Sequence, residues 1–252
     1  MEKLYYKEYY TLERKHWWFK ARLKILEILI QQLTINFENL PKILNAGAGT
    51  GATSSMLKKH GTVTSLEYDK DCSLFLEEIL NEKVLNASLT DLPLDNDSFD
   101  IICAFDVIEH IKEDRTAIQE INRTLKENGY VFITVPAFKI LWGKHDEVNH
   151  HFRRYRLKEV KKLLSEEGFK IKYSSYFNFL LFIPILLIRI LSKVIPKKPL
   201  DNGTGSDFEK FNYNFLNDFL YYLFVAEKSL LKRKVQLPFG VSALVIAQKN
   251  YT

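Results

Sequence analysis

An apolar run that feeds straight into a cluster of glycines constrains this chain more than any other feature. The stretch ILNAGAGTGATSSMLKKHG, residues 43–61, begins as a short apolar stub, passes through Gly47, Gly49 and Gly51, and continues in a helical pattern that Gly61 stops. Glycines let a backbone approach a ligand closely and adopt positive φ. The free N–H groups of the helix that follows point at whatever is bound. Strand, glycine turn and helix in that order open a doubly wound α/β sheet, where ligands sit beyond the carboxyl ends of the strands.

The rest of the chain repeats the unit. TVTSLEY, KVLNA, FDIICAF, YVFITVPA, FKIKYSSYF and SALVIAQK read as six further strands after KILNAG. FDIICAF is continuously apolar, as strands buried on both faces are. Leu23, Leu26, Leu29, Ile30 and Leu33 fall at helical spacing, as do Ile118, Ile121 and Leu125, and Leu157, Val160, Leu163 and Leu164. The alternation predicts an α/β, doubly wound seven-stranded sheet with right-handed crossovers. Four parts are expected: an N-terminal aromatic arm and helix (1–40), the sheet core (41–176), an apolar helical insertion (177–236) with a linker at 196–207, and a final core strand (237–252).

Composition excludes some functions. The 31 acidic residues lie among 36 basic ones for a net charge of +5, too mixed for a nucleic-acid-binding stripe. Cys72 and Cys103 form no spacing motif, and the charged, aromatic N-terminus lacks the apolar region of a signal peptide. A reducing cytoplasm is the expected location, with peripheral contact at the inner face of the membrane as an option.

The expected ligand carries an adenosyl ribose. A carboxylate at the end of the second strand, about 20 residues past the glycine turn, holds ribose hydroxyls in such sheets. Glu67 stands there, with Tyr68 beside it to pack on an adenine. Glycine spacing alone leaves a nicotinamide oxidoreductase open, because Ala52 is tolerated at the last position of the dinucleotide fingerprint counted from Gly47.

Further motifs separate the two. NAGAGTG after strand one, Glu67 ending strand two, NASLTDLPLDNDSFD after strand three, AFDVIEHI at strand four and LKENGY before strand five occur in order over residues 43–136. With these the chain resembles the class I S-adenosylmethionine-dependent methyltransferases, whose Rossmann-like sheet ends in an antiparallel strand pair. An HWWF arm and an HHFRRY stretch are similar to one subgroup of that family. The resemblance implies S-adenosylmethionine as cofactor, S-adenosylhomocysteine as product, and a small-molecule, glycan or lipid-linked acceptor methylated on oxygen or nitrogen. Asn45, Ala46, Gly47, Gly49, Gly51, Glu67, Tyr68, Ser88, Leu89, Asp106 and His110 would line the cofactor. Asn45 stands where family members usually carry an acid, and Ser88 where many carry Asp. A non-catalytic adenosyl-binding module is the alternative that keeps the same loop.

Three segments lie outside these motifs. The arm sets Trp18, Phe19 and Arg22 before or within the first helical pattern, and is read as a lid whose Arg22 meets the methionine carboxylate, or as packing on the sheet. The stretch LWGKHDEVNHHFRRYR after strand five gathers His145, Asp146, His150, His151, Arg153, Arg154 and Tyr155. His145 or His150 is the candidate base, and Arg153 and Arg154 the candidate grip on an anion. A metal is not expected there, since the histidines lack i, i+4 helical placement and methyl transfer needs none. In the insertion, FNFLLFIPILLIRILSKVIPKK is broken by Pro184 and Arg189 and is flanked by lysines. That suits a membrane surface, a greasy acceptor, a homodimer interface or ordinary core.

Overall fold

A computed structural model of the chain describes residues 3–194 and 214–250. Seven strands form one sheet in the order β3-β2-β1-β4-β5-β7-β6. They are β1 (Lys42–Ala46), β2 (Thr62–Glu67), β3 (Leu85–Asn86), β4 (Phe99–Phe105), β5 (Leu125–Pro136), β6 (Phe169–Phe177) and β7 (Ser242–Lys249). β7 runs antiparallel to both of its neighbours, and the other pairings are parallel. The order turns back at β1 and β4, so the ends of those two strands flank the crevice in which such sheets bind ligands.

Alternation along the strands builds a core on each face. Leu44, Ile102 and Ala104 face one cluster, joined by Ile118 and Ile121 of α5 (Asp114–Thr124) and Val160 and Leu164 of α7 (Leu157–Glu166). Ile43, Ile101, Cys103 and Phe105 face the other. That second cluster takes Ile25, Leu26, Leu29 and Ile30 of α2 (Trp17–Thr34) and Met56 and Leu57 of α3 (Ala52–Leu57). Burying a side chain of this size stabilises the fold by roughly 1.5–3 kcal/mol, so α2 belongs to the core.

The boundaries differ from the sequence reading in four places. A first helix, α1 (Lys3–Lys15), precedes α2, and α2 itself starts at Trp17 with His16 as its N-cap, so the HWWF aromatics lie at a helix start. A helix α4 (Lys70–Leu80), capped by the Asp69 side chain on Cys72 N, fills the β2–β3 crossover. Leu125 ends the helical spacing but already belongs to β5, where it pairs with Phe99 before a register shift. The stretch after β5 holds a short helix, α6 (Lys144–Val148).

The insertion is divided. Phe224 of α9 (Asn214–Val225) and Leu231 of α10 (Glu227–Lys232) are fully buried beside α2. By contrast α8 (Phe182–Val194) leaves Ile183, Leu187, Ile188 and Leu191 at least half exposed. Among the described residues no helix is long and apolar enough to cross a membrane. The expected linker at 196–207, with Lys197 and Lys198, lies outside the described residues.

Candidate active site at the ends of strands 1, 2, 4 and 5

The glycine turn after β1 takes left-handed backbone at Gly47 (φ 71°) and Gly49 (φ 54°). A Cβ on Gly47 would stand 2.4 Å from a Val107 methyl, whereas one on Gly49 would meet nothing within 4 Å among the described residues. The first glycine is thus required by packing, and the second faces open space. Glu67, at the end of β2, accepts from Gly49 N (2.9 Å) and Asp69 N (3.0 Å). Burial raises its pKa against these two bonds. Tyr68 beside it is 77% exposed. Ser88 shares a hydroxyl contact of 2.7 Å with Thr90, and Leu89 is buried.

Asn45 and Ala46 are fully buried at the end of β1. The Asn45 amide donates to Thr53 Oγ1 and Ser54 Oγ, both at 2.9 Å, and ties β1 to α3. Its Oδ1 is buried with no partner among the described residues.

At the end of β4, Asp106 takes a positive φ of 56° and turns its carboxylate toward the arm. Arg22 reaches Asp106 Oδ2 at 2.8 Å and Thr134 Oγ1 of β5 at 3.1 Å, under the rings of Trp18 and Phe105. Phe19 is buried, its ring 4.9 Å from Trp18. α1 closes down further along: Tyr6 donates to Asp69 Oδ1 (2.8 Å), Arg14 donates to Thr50 O (3.1 Å), and Glu13 accepts from the Thr50 hydroxyl. The arm therefore lies on the glycine turn and on the β4 end together.

The stretch after β5 is organised around Asp146, which is fully buried. It accepts from His151 Nδ1 (2.9 Å), Arg154 Nε (2.7 Å), a second Arg154 nitrogen (3.1 Å) and Gly143 N (2.8 Å). Burial alone would raise its pKa, but the His151 and Arg154 bonds hold it well below the ordinary range. Arg153 forks to Asp114 (2.7 Å) and Lys112 O (2.6 Å), and the Tyr155 hydroxyl donates to the same Asp114 (2.7 Å). The forks of Arg153 and Arg154 are thus engaged inside the chain, which departs from their expected grip on a substrate anion. His145 lies within the group, with Asn149 Nδ2 at 3.2 Å from its Nδ1 and its ring 6.0 Å from that of His151. His150 sits apart, exposed and at a positive φ.

Sequence reasoning passed over Glu109 as a ligand or catalytic group. It lies in the short turn Ile108–His110, fully buried, and neither carboxylate oxygen has a hydrogen-bond partner among the described residues. Burial, and then the Asp106 carboxylate, push its pKa well up. The His110 and His151 rings stand edge to face at 4.5 Å beside it. A separate cleft of about 330 Å³, lined by Leu29, Phe37, Asn128 and Lys172 among others, shares no residue with this site.

Comparison with known proteins agrees with the geometry. Residues 44–133, from β1 into β5, match a family model described as a methyltransferase domain. An uncharacterized protein of Methanocaldococcus jannaschii is 28% identical over 194 residues, covering 73% of this chain and 82% of that one. A protein of Mycobacterium tuberculosis named "Probable S-adenosylmethionine-dependent methyltransferase" is 25% identical over 63% of this chain, which spans 57% of its length. A crystal structure of a SAM dependent methyltransferase from Archaeoglobus fulgidus superposes with a TM-score of 0.58 at 15% identity, over 96% of this chain and 99% of that one. At that identity the superposition carries the fold alone. The fold and the glycine-turn site define a class I methyltransferase. Residues 44–133 form a methyltransferase domain, and with the named relatives that domain supports S-adenosylmethionine-dependent methyltransferase activity with S-adenosylmethionine as cofactor.

Proposed function

We propose that the chain methylates an oxygen or nitrogen atom of a small, glycan or lipid-linked acceptor at the mouth formed by Asp106, Glu109, His110 and His145. One observation carries this reading. The single turn Asp106–His110 holds both the Arg22-paired carboxylate and two of the three residues, Glu109 and His110, that meet His151 in an imidazole–carboxylate group.

The residues present fit the cofactor. Gly49 leaves open space beside its Cα, and the Glu67 carboxylate is held there by backbone N–H groups. In this reading Ala46, Gly47 and Gly49 offer backbone, Glu67 takes the ribose hydroxyls, and Tyr68, Ser88 and Leu89 border the adenine. Arg22 and Asp106 frame the methionine end, roofed by Trp18 and Phe19. The cofactor supplies a methyl group already activated by a sulfonium. The protein has to align the acceptor and take its proton. His145 is the proposed base because it lies inside the group, whereas His150 stands on its rim. Arg153, Arg154 and Tyr155 act through Asp114 and Asp146, holding the stretch in place. α8 packs against the turn after β5 through Phe182 and Phe138 (5.5 Å) and presents apolar side chains beside it, which favours an acceptor with a greasy portion.

The test is methyl transfer to a panel of phenols, amines and polyprenyl-linked sugars. Turnover with one class, reduced by about 10²-fold or more in His145→Ala with S-adenosylhomocysteine binding intact, is the expected result. Wild-type turnover in His145→Ala contradicts the base assignment.

A further inference from the structure

Glu109, His110 and His151 each offer one ligand atom, and these atoms lie within 4.8 Å of one another. They come from two segments, the turn after β4 and the stretch after β5, so no local spacing reveals them. We propose that these three side chains bind a divalent transition-metal ion, and that this ion holds the acceptor's hydroxyl. The inference rests on the methyltransferase reading for the acceptor, but the metal site stands on its own geometry.

Three observations support it. First, Glu109 is fully buried, and among the described residues both its oxygens lack a hydrogen-bond partner. A buried carboxylate without a partner is costly, and natural structures pair such groups or use them to coordinate metals. Second, the two imidazoles are oriented from behind. His151 Nδ1 bonds Asp146 at 2.9 Å, which leaves Nε2 as the ligand atom, and Asp146 is fixed in turn by Arg154. His110 also meets the backbone of Asn149. A carboxylate or carbonyl behind a histidine is the arrangement that sets ring tautomer and direction in metal sites. Third, the His110 and His151 rings are perpendicular at 4.5 Å, so two nitrogens converge without the rings stacking.

The donor set selects the ion. Two imidazoles and one carboxylate suit zinc and its neighbours, whereas magnesium and calcium prefer an all-oxygen shell. Ligands at about 2.1 Å in tetrahedral geometry stand about 3.4 Å apart, so the ligand atoms would close in by up to about 1.4 Å on binding. Three protein ligands leave a fourth position open. A hydroxyl bound there loses its proton more readily, as metal-bound water does. Its proton passes to His145, the proposed base, whose ring stands 6.0 Å from that of His151, and the oxygen stays on the ion as an anion.

The test uses the full chain after treatment with EDTA. Zn²⁺ is titrated by calorimetry and Co²⁺ by visible absorption, with wild type, Glu109→Gln and His151→Ala. The expected result is one ion per chain and a Co²⁺ d–d spectrum in the wild type, with affinity at least about 100-fold lower in both variants. S-adenosylhomocysteine should bind His151→Ala within about 3-fold of wild type. If Glu109→Gln fails to fold, His110→Ala, which removes an exposed ring, takes its place in the metal titration. Absence of stoichiometric binding by the wild type overturns the proposal, as does equal binding by the variants. Loss of S-adenosylhomocysteine binding in the wild type would strike the methyltransferase reading instead and leave the metal result to stand or fall alone.

Discussion

Arg22 and Asp106 meet at 2.8 Å, a residue of the N-terminal helix pair held against the end of the central strand β4. Arg22 is buried, and the same guanidinium nitrogen also holds Thr134, which itself donates to Asp106 at 3.1 Å. The arm is therefore latched to the mouth of the site through a closed triangle of polar bonds. Arg22→Ala takes away the ion-pair partner of Asp106, leaving it the Thr134 hydroxyl, and removes a buried stem. The expected cost is about 2–4 kcal/mol, since removing one partner of a largely buried pair leaves the other charge uncompensated. A lower urea midpoint and weaker S-adenosylhomocysteine binding together check this. An unchanged midpoint would mean that the pair is solvated in solution.

Gly47 and Gly49 separate packing from binding. Gly47→Ala drives a Cβ to 2.4 Å from Val107, so the turn must shift. Gly49→Ala meets no protein atom within 4 Å and bears mainly the left-handed backbone penalty, about 1–2 kcal/mol. Gly49→Ala is expected to stay folded while losing at least about 10-fold in S-adenosylhomocysteine affinity, because the new methyl occupies the ligand's space. Denaturation and calorimetry on both variants measure the split. Full affinity in Gly49→Ala would place the cofactor elsewhere.

His16 predicts a dependence on pH. It caps α2 by accepting from Trp18 N at 3.2 Å, and burial lowers its pKa from 6.5 to about 4. Between those values the unfolded chain binds the proton that the folded chain refuses. The His16 contribution is thus whole above about pH 6.5 and declines as pH falls toward 4. His16→Asn keeps a capping acceptor without the titration. The Tm of the wild type should fall more steeply than that of the variant between pH 6.5 and 5. Parallel slopes would show that His16 binds its proton alike in the folded and unfolded chain, against the account.

The parts of the site that were legible in the sequence are those written locally. Gly47, Gly49 and Glu67 are fixed by strand–turn–helix chemistry within about 20 residues, and Asp106 followed from its place after an apolar strand. Glu109 is visible in the sequence as a letter of AFDVIEHI, but its place beside His151 depends on a segment that arrives from after β5. Arg153 and Arg154 show what charge density alone leaves open. Charge density pointed to a substrate grip, while Asp114 and Asp146 had already claimed both forks. Asp146 was within view only eight residues before Arg154, but nothing local says that the pair is buried. Helix α4 escaped notice because the strands on either side drew the reading, although Asp69 is an ordinary capping signal ahead of it.

The central claim is that the glycine turn and Glu67 hold an adenosyl cofactor on a methyltransferase fold. Calorimetric titration of the full chain with S-adenosylmethionine, S-adenosylhomocysteine and NAD(H), alongside Glu67→Ala, tests it most directly. The account predicts binding of the two adenosyl-sulfur ligands, no binding of NAD(H), and an affinity loss of at least about 10-fold in Glu67→Ala, as expected for removing a charged hydrogen-bond acceptor worth about 1.5–3 kcal/mol. Binding of NAD(H) alone, or undiminished S-adenosylhomocysteine binding by a folded Glu67→Ala, would contradict it.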